Sequence, residues 1–182
     1  LDDTFDKYYT IELDPKICAC ASYRYKMFEA FGENITEDLI HSNDLDFNWI
    51  GIGQYFNNRL TLFEGDSAET LKELLPTINQ RICFWLDAHT GAQKYAKGVD
   101  DVALFRELES IKEHHIKEHI LAIDDIGLFG QVQFDKKTGH ISCDYTNVTI
   151  DNVKDKIYQI NPNYIIEIYA PFNMPMMVAY CK

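Results

Sequence analysis

The sequence lacks an apolar run long enough to cross a membrane, and it is short of positive charge. A membrane-spanning helix needs about 20 consecutive apolar residues, and no window of the 182-residue chain approaches that length. Its 17 basic residues are outnumbered by 29 acidic ones, which gives a formal net charge of -12. Because nucleic-acid phosphates and anionic lipids attract positive charge, these absences argue against nucleic-acid and membrane partners. They favour a partner that is small or cationic.

A CxxC pair is also lacking, and the N-terminal residues do not have the pattern of a signal peptide. The five cysteines are an odd number, and none of them forms a CxxC pair of the kind that binds zinc. The N-terminal sequence LDDTFDKYY is acidic, whereas a signal peptide is basic and then apolar. These features predict a reduced, cytoplasmic compartment.

Hydrophobic residues make up 46% of the chain and aromatic residues 13%, enough for one domain, 1–182, with a sizeable core. Six apolar runs have the length of strands, and most are apolar throughout instead of alternating. That pattern is typical of strands buried on both faces, as in a parallel sheet between layers of helices. The runs are 8–13, 59–65, 81–87, 119–125, 164–170 and 176–181.

Three segments between these runs have helical spacing of their apolar residues: 67–78, 101–119 and 149–160. The sequence predicts Ser67 as the cap of the first helix, and His114, His115 and His119 as solvated surface of the second. Only PFNMP separates the last two strands, too short for a parallel crossover, so they should pair antiparallel. The sequence therefore predicts an α/β fold, with a mostly parallel sheet and one reversed strand near its edge.

Polar residues follow four of the predicted strands, where ligands bind in open α/β sheets. They are Glu12, Asp66 with Ser67, Asp87 with His89, and Asp124 with Asp125. The long segment 34–58 departs from the strand-helix alternation and has the length of a lid over such a site.

Spacing alone leaves two interpretations of Asp87, Asp124 and Asp125. Carboxylates on neighbouring strand ends repel each other unless a cation lies between them, which suits Mg²⁺. Asp also commonly caps turns, and spacing alone favours that role. His89 has three candidate roles: a general base, a further metal ligand, or a hydrogen-bonded side chain.

Five stretches in order, TIEL, EGDSAETL, CFWLDAH, AIDDIGLFG and MMVAYC, carry a resemblance to a known family. The sequence resembles the class I S-adenosylmethionine-dependent methyltransferases, most closely the metal-dependent O-methyltransferases of catechols and sugars. The resemblance runs from residue 8 to the end, apart from the segment after Cys18. It implies a Rossmann-like sheet flanked by helices, with an antiparallel C-terminal strand.

The resemblance also implies roles for these polar residues. Glu12 would hold the cofactor ribose, Asp66 and Ser67 would frame the adenine, and Asp87 would line the cofactor site. The Mg²⁺ ligands would be Asp87, Asp124 and Asp125, which puts the metal interpretation ahead of capping. Mg²⁺ would assist methyl transfer to oxygen, with Asp87 and the candidate base His89 as the catalytic residues.

One feature that the resemblance implies is missing. Enzymes of this kind begin with a strand and a glycine-rich loop that approaches the methionine part of the cofactor. All nine glycines of this chain come after Glu12, and residues 1–7 resemble the end of the helix that would follow the loop. The sequence is therefore expected to represent an N-terminally incomplete domain.

Several alternatives stay open. The same fold can methylate without a metal. A metal-dependent hydrolase or phosphoryl-transfer enzyme also gathers acids around Mg²⁺, although the chain has no GxxxxGK[ST] loop and no GxSxG elbow. A non-catalytic module would bind a partner through the aromatic residues of 34–58, and those aromatics also allow a homodimer. For the enzyme, the expected acceptor is a small hydroxylated molecule such as a sugar or a surface-glycan precursor.

Overall fold

The computed structural model describes residues 5–18, 55–56, 60–90, 96–170 and 175–182. Residue contacts divide the chain into two compact units, Leu1–Asp66 and Ser67–Lys182, where the sequence predicted one domain. Each unit is described by itself. The predicted lid at 34–58 lies outside the described residues except for positions 55 and 56.

The first unit contains a three-stranded sheet. Strand β1 (Tyr8–Glu12) pairs in parallel with β3 (Leu60–Glu64), and β2 (Tyr55–Phe56) pairs antiparallel with β3. A helical turn at 15–18 follows β1, and the Asp14 carboxylate caps it by accepting the backbone N–H groups of Lys16 and Ile17. Both strands predicted in this region are confirmed, with shorter ends.

The second unit contains a four-stranded sheet in the order β4 (Cys83–Leu86), β5 (Ile120–Ile123), β9 (Met176–Tyr180) and β8 (Ile165–Tyr169). Strands β4 and β5 are parallel, and β9 is antiparallel to both β5 and β8. Three strands therefore point one way and β9 points the other way. The predicted reversed C-terminal strand is confirmed, and the described chain is a mixed α/β protein.

A second sheet of this unit was not predicted. Strands β6 (Val132–Phe134) and β7 (Ile141–Asp144) form an antiparallel hairpin. Its turn is closed by Asp135, whose carboxylate accepts the backbone N–H groups of Lys137 and Thr138, and by Gly139 at a φ of 72°. Both strands are short and partly polar, so they lack the long apolar runs that identified the others.

The helices are shorter than predicted. Helix α1 (Ser67–Leu74) contains Ser67 as its first residue rather than as its cap, and a 3₁₀ turn (Leu75–Thr77) follows at Pro76. Helix α2 spans Leu104–Glu113, and α3 spans Ile150–Ile160. The side chain of Thr149 caps α3 by accepting the backbone N–H of Asn152.

The prediction of a solvated histidine cluster is wrong for two of its three members. Helix α2 ends at Glu113 because the next residue, His114, has an extended backbone. His114 is 3% exposed and His119 is fully buried, while His115 is exposed. The chain turns inward after the helix, so these residues do not share the charged helical surface that their spacing suggested.

The prediction that most strands are buried on both faces is wrong for β1 and β8, which contain no buried residue, and for β4. Phe84 and Leu86 are buried, whereas Trp85 is 61% exposed and Cys83 is also exposed. One face of β4 therefore contributes to the core and the other does not. The core of this unit combines that face with side chains of the helices and of β5 and β9, including Leu71, Leu104, Leu108, Ile111, Leu121, Ile123, Val153, Ile157 and Met177.

Among the residues that the structure describes, none of the helices combines the length and the apolar character that crossing a bilayer requires. The four described cysteines, Cys18, Cys83, Cys143 and Cys181, are all free thiols.

Candidate metal centre

Three of the predicted acids lie at the carboxyl ends of two neighbouring parallel strands. Asp87 directly follows β4, and Asp124 and Asp125 directly follow β5. The last residues of these strands, Leu86 and Ile123, are in register, and the Asp124 N–H donates to the Leu86 carbonyl across 3.1 Å. This pairing holds the two strand ends side by side, as the sequence predicted.

The backbone of a second segment fixes the position of His89. His89 forms an isolated antiparallel bridge with Val102. On either side of it, the Thr90 N–H donates to the Asp101 carbonyl across 2.6 Å, and the Ala103 N–H donates to the Ala88 carbonyl across 3.1 Å. These bonds place the imidazole beside the strand ends.

The three side chains Asp87, His89 and Asp125 form one cluster. The Nδ1 atom of His89 lies 3.6 Å from Oδ1 of Asp87 and 3.4 Å from Oδ2 of Asp125. It also lies 3.1 Å from the backbone carbonyl oxygen of Asp87. One potential ligand atom from each of the three residues lies within 4.8 Å of the other two.

Asp124 does not join this cluster, although the resemblance implied it as a third carboxylate ligand. Its Oδ1 accepts the backbone N–H of Asp125 across 2.8 Å. Asp125 itself has a φ of 55°, in the left-handed region that few residues other than glycine adopt. The chain thus turns sharply after β5, and of the two adjacent acids only Asp125 contributes to the cluster, in which His89 takes the third place.

The cluster is polar and open to solvent. The side chains of Asp87, His89 and Asp125 are 44%, 33% and 34% exposed. The Asp87 side chain raises the pKa of His89 above its usual range, and the charge of Asp125 adds to this effect, while partial burial opposes it. Two carboxylates therefore create a local negative potential that stabilises positive charge at this position.

These donors fit a small divalent cation. Ligand atoms around one ion at about 2.1 Å lie at most about 4.2 Å apart, close to the separations in the cluster. Carboxylate oxygens suit Mg²⁺ and Mn²⁺, and an imidazole nitrogen extends the range to transition metals. Asp87 and Asp125 would supply the oxygen ligands, with the His89 imidazole beside them, and the solvent exposure leaves room for water or substrate.

The predicted cofactor residues divide between the two units. Glu12 and Asp66 belong to the first unit, while Ser67 and Asp87 belong to the second. Glu12 ends β1, and its Oε1 accepts the Asp14 N–H across 2.8 Å, which is the loop-capping role expected of an acid there. Asp66 and Ser67 are both half-buried.

Sequence reasoning missed one residue at this centre, Tyr145. Its hydroxyl donates to Oδ2 of Asp125 across 3.3 Å. Tyr145 directly follows the unpredicted hairpin, far along the chain from Asp125. No local pattern could reveal the contact, although the turn sequence DKKTG could have revealed the hairpin.

Comparisons with protein-family profiles, with curated proteins and with solved structures found no match to this chain.

Proposed function

We propose that this chain is a class I methyltransferase that transfers a methyl group from S-adenosylmethionine to a hydroxyl of a small acceptor, such as a sugar. A divalent cation, Mg²⁺ in the first instance, would bind at Asp87 and Asp125, with His89 beside them. The free thiols among the described residues favour a reducing compartment such as the cytoplasm.

The observation that carries the proposal is the cluster of Asp87, His89 and Asp125 at two neighbouring strand ends. Ligand sites of open α/β sheets lie at this edge. An imidazole among these carboxylates adds a group that can accept a proton near neutral pH. Metal-assisted O-methylation uses both cation binding and proton transfer, in addition to binding of the methyl donor.

The strand directions of the second unit support a Rossmann-like fold. Strands β4, β5 and β8 share one direction, and the C-terminal strand β9 is reversed between β5 and β8. The resemblance implies such a reversed C-terminal strand. Helix α2 connects the parallel pair β4 and β5, as in a βαβ unit.

Each residue of the candidate site would have its own role in methyl transfer. Asp87 and Asp125 would hold the cation, which would supply Lewis-acid chemistry toward the acceptor hydroxyl. His89 would accept the proton of that hydroxyl. Glu12, Asp66 and Ser67 keep the cofactor roles that the resemblance implies, and Asp124 supports the turn instead of binding the cation.

Calorimetric titration of S-adenosylmethionine and its demethylated product, with and without Mg²⁺, tests both halves of the proposal. The variants are Glu12→Gln, which tests the cofactor acid, and Asp87→Asn, which tests the cation site. Asp151→Asn is a matched control because it makes the same change at an exposed position in the first turn of α3.

We expect Glu12→Gln to weaken cofactor binding, Asp87→Asn to weaken Mg²⁺ binding, and Asp151→Asn to change neither. Wild-type protein that binds Mg²⁺ but neither form of the cofactor would refute the methyltransferase and favour a metal-dependent hydrolase, since that class uses the same kind of cluster. Protein that binds neither ligand would favour a non-catalytic module.

A further inference from the structure

The side chain of Tyr145 lies beside two members of the metal centre. Tyr145 is 1% exposed. Its ring stacks on Phe129 with 6.1 Å between ring centroids, and it lies 6.0 Å from the imidazole of His89. Its hydroxyl reaches Oδ2 of Asp125. The proposed cation ligands do not include Tyr145, so this contact has no role assigned to it.

The backbone holds Tyr145 in place. Its N–H donates to the Gln131 carbonyl across 2.9 Å, and its own carbonyl accepts the N–H groups of Gly130 at 3.1 Å and Val148 at 2.8 Å. These three bonds link Tyr145 to Gly130 and Gln131, which precede β6, and to Val148, which follows β7. The position of the phenol ring is therefore set by the fold and not by solvent.

The Tyr145 hydroxyl contacts the Asp125 oxygen that also lies near His89. Oδ2 of Asp125 receives the Tyr145 hydroxyl and is also the oxygen 3.4 Å from Nδ1 of His89. The Asp125 side chain is about one-third exposed, so packing alone does not fix its rotation. A hydrogen bond from a buried group restricts that rotation.

We propose that Tyr145 is a positioning residue of the metal centre: its hydroxyl holds the Asp125 carboxylate toward Asp87 and His89, so that the cation meets a preformed site. This inference rests on the cation binding of the proposed function. It adds a residue that touches a ligand but does not itself bind the cation.

The Tyr145 hydroxyl is the donor in the contact with Asp125, because an ionised carboxylate can only accept. Cys143 directs its own thiol to the Asp101 carbonyl, and Asp101 lies on the segment that fixes His89. Cys143 therefore contacts the segment that fixes His89, while Tyr145, two residues later, contacts Asp125.

Tyr145→Phe isolates the hydroxyl because it keeps the ring and its packing. Tyr164→Phe is the matched control, since Tyr164 is a buried tyrosine of the same unit, 4% exposed, that does not belong to the cluster. Mn²⁺ affinity is measured by calorimetry on the full chain. The visible absorption of bound Co²⁺ is recorded as well, because it reports the arrangement of the ligands and would not change if Tyr145 only supported the fold.

We expect Tyr145→Phe to weaken Mn²⁺ binding by about 10- to 100-fold, as removal of a group that orients a metal ligand does, and to shift the Co²⁺ spectrum. Tyr164→Phe should retain the wild-type affinity and spectrum. A Tyr145→Phe protein with wild-type affinity and spectrum would overturn the positioning role and leave the metal centre standing. Wild-type protein that binds neither ion would overturn the metal centre, and the positioning role with it.

Discussion

His119 and His114 are joined by a hydrogen bond of 2.8 Å between Nε2 of His119 and Nδ1 of His114, and both rings are buried. The neighbours determine where the protons lie. Nδ1 of His119 accepts the Ile82 N–H across 3.1 Å, so its proton is on Nε2. His114 accepts that proton at Nδ1 and donates from Nε2 to the Ile78 carbonyl across 2.9 Å. Both nitrogens of His119 are therefore occupied, and its imidazole has no room for a second proton.

The first prediction concerns stability at low pH. Burial lowers the pKa of His119 to about 4, and the neighbouring His114 and Arg81 add to the effect. Because the unfolded chain has a His pKa of about 6.5, it binds more protons than the folded chain between about pH 6.5 and 4. The His119 contribution is thus complete above pH 6.5 and is lost as the pH falls to 4, by at most about 3 kcal/mol. Urea unfolding at pH 7 and at pH 4.5 measures it.

Variants separate His119 from the other groups that titrate in this range. His119→Asn keeps an acceptor for the Ile82 N–H but does not titrate, so it should lose part of the pH dependence. His115→Asn makes the same change at the exposed neighbour and should keep all of it. An equal pH dependence in wild-type protein and His119→Asn would contradict the lowered pKa of His119.

The apolar runs predicted six of the nine described strands, because a run of apolar residues is visible without tertiary information. The exposed side of β4 was not predictable, since Trp85 and Phe84 are equally apolar in the sequence and only the tertiary packing distinguishes them. Propensity alone likewise could not show that α2 ends at Glu113 or that His119 is buried.

At the candidate site, the sequence identified the strand ends but not the complete set of ligands. Asp124 and Asp125 are identical neighbours, and the left-handed backbone of Asp125 decides which of them joins Asp87 and His89. That conformation is not encoded in the residue type. Tyr145 reaches the site from a hairpin that residue spacing does not relate to β5.

The second prediction distinguishes the two adjacent acids. Asp125→Asn removes a charge from the cluster and should weaken Mn²⁺ binding by tenfold or more, roughly the loss seen when a metal site is disturbed. Asp124→Asn keeps an oxygen that accepts the Asp125 N–H, so it should bind Mn²⁺ nearly as well as wild-type protein. Calorimetry of the two variants side by side measures the difference. Equal losses in both would restore Asp124 as a ligand.

The third prediction concerns the start of α3. The hydroxyl of Thr149 accepts the Asn152 N–H across 3.2 Å, so Thr149→Ala should lower the free energy of unfolding by about 1 kcal/mol. Thr149→Ser keeps the oxygen and should lose much less. Urea unfolding at neutral pH compares them. If serine and alanine destabilise equally, the methyl group and not the cap is responsible.

The last prediction uses two glycines with similar positive φ angles. Gly130 has a φ of 76° and Gly139 a φ of 72°, and a Cβ atom added at either would meet nothing within 4 Å. Alanine at either position should therefore cost about 1–2 kcal/mol of stability from backbone strain alone. The two differ in their partners, because the Gly130 N–H bonds to the carbonyls of Tyr145 and Val148, whereas the Gly139 N–H bonds to Asp135 within the hairpin.

Only Gly130→Ala should disturb Tyr145 and through it the metal centre. We expect Gly130→Ala to weaken Mn²⁺ binding and Gly139→Ala to leave it unchanged, at similar losses of stability in urea. This pair tests whether a shift of the backbone that holds Tyr145 displaces Asp125 and weakens Mn²⁺ binding. Neither substitution alters a side chain of the centre. Equal Mn²⁺ affinity in the two variants would show that the centre does not depend on the backbone position of Tyr145, since both would carry similar strain.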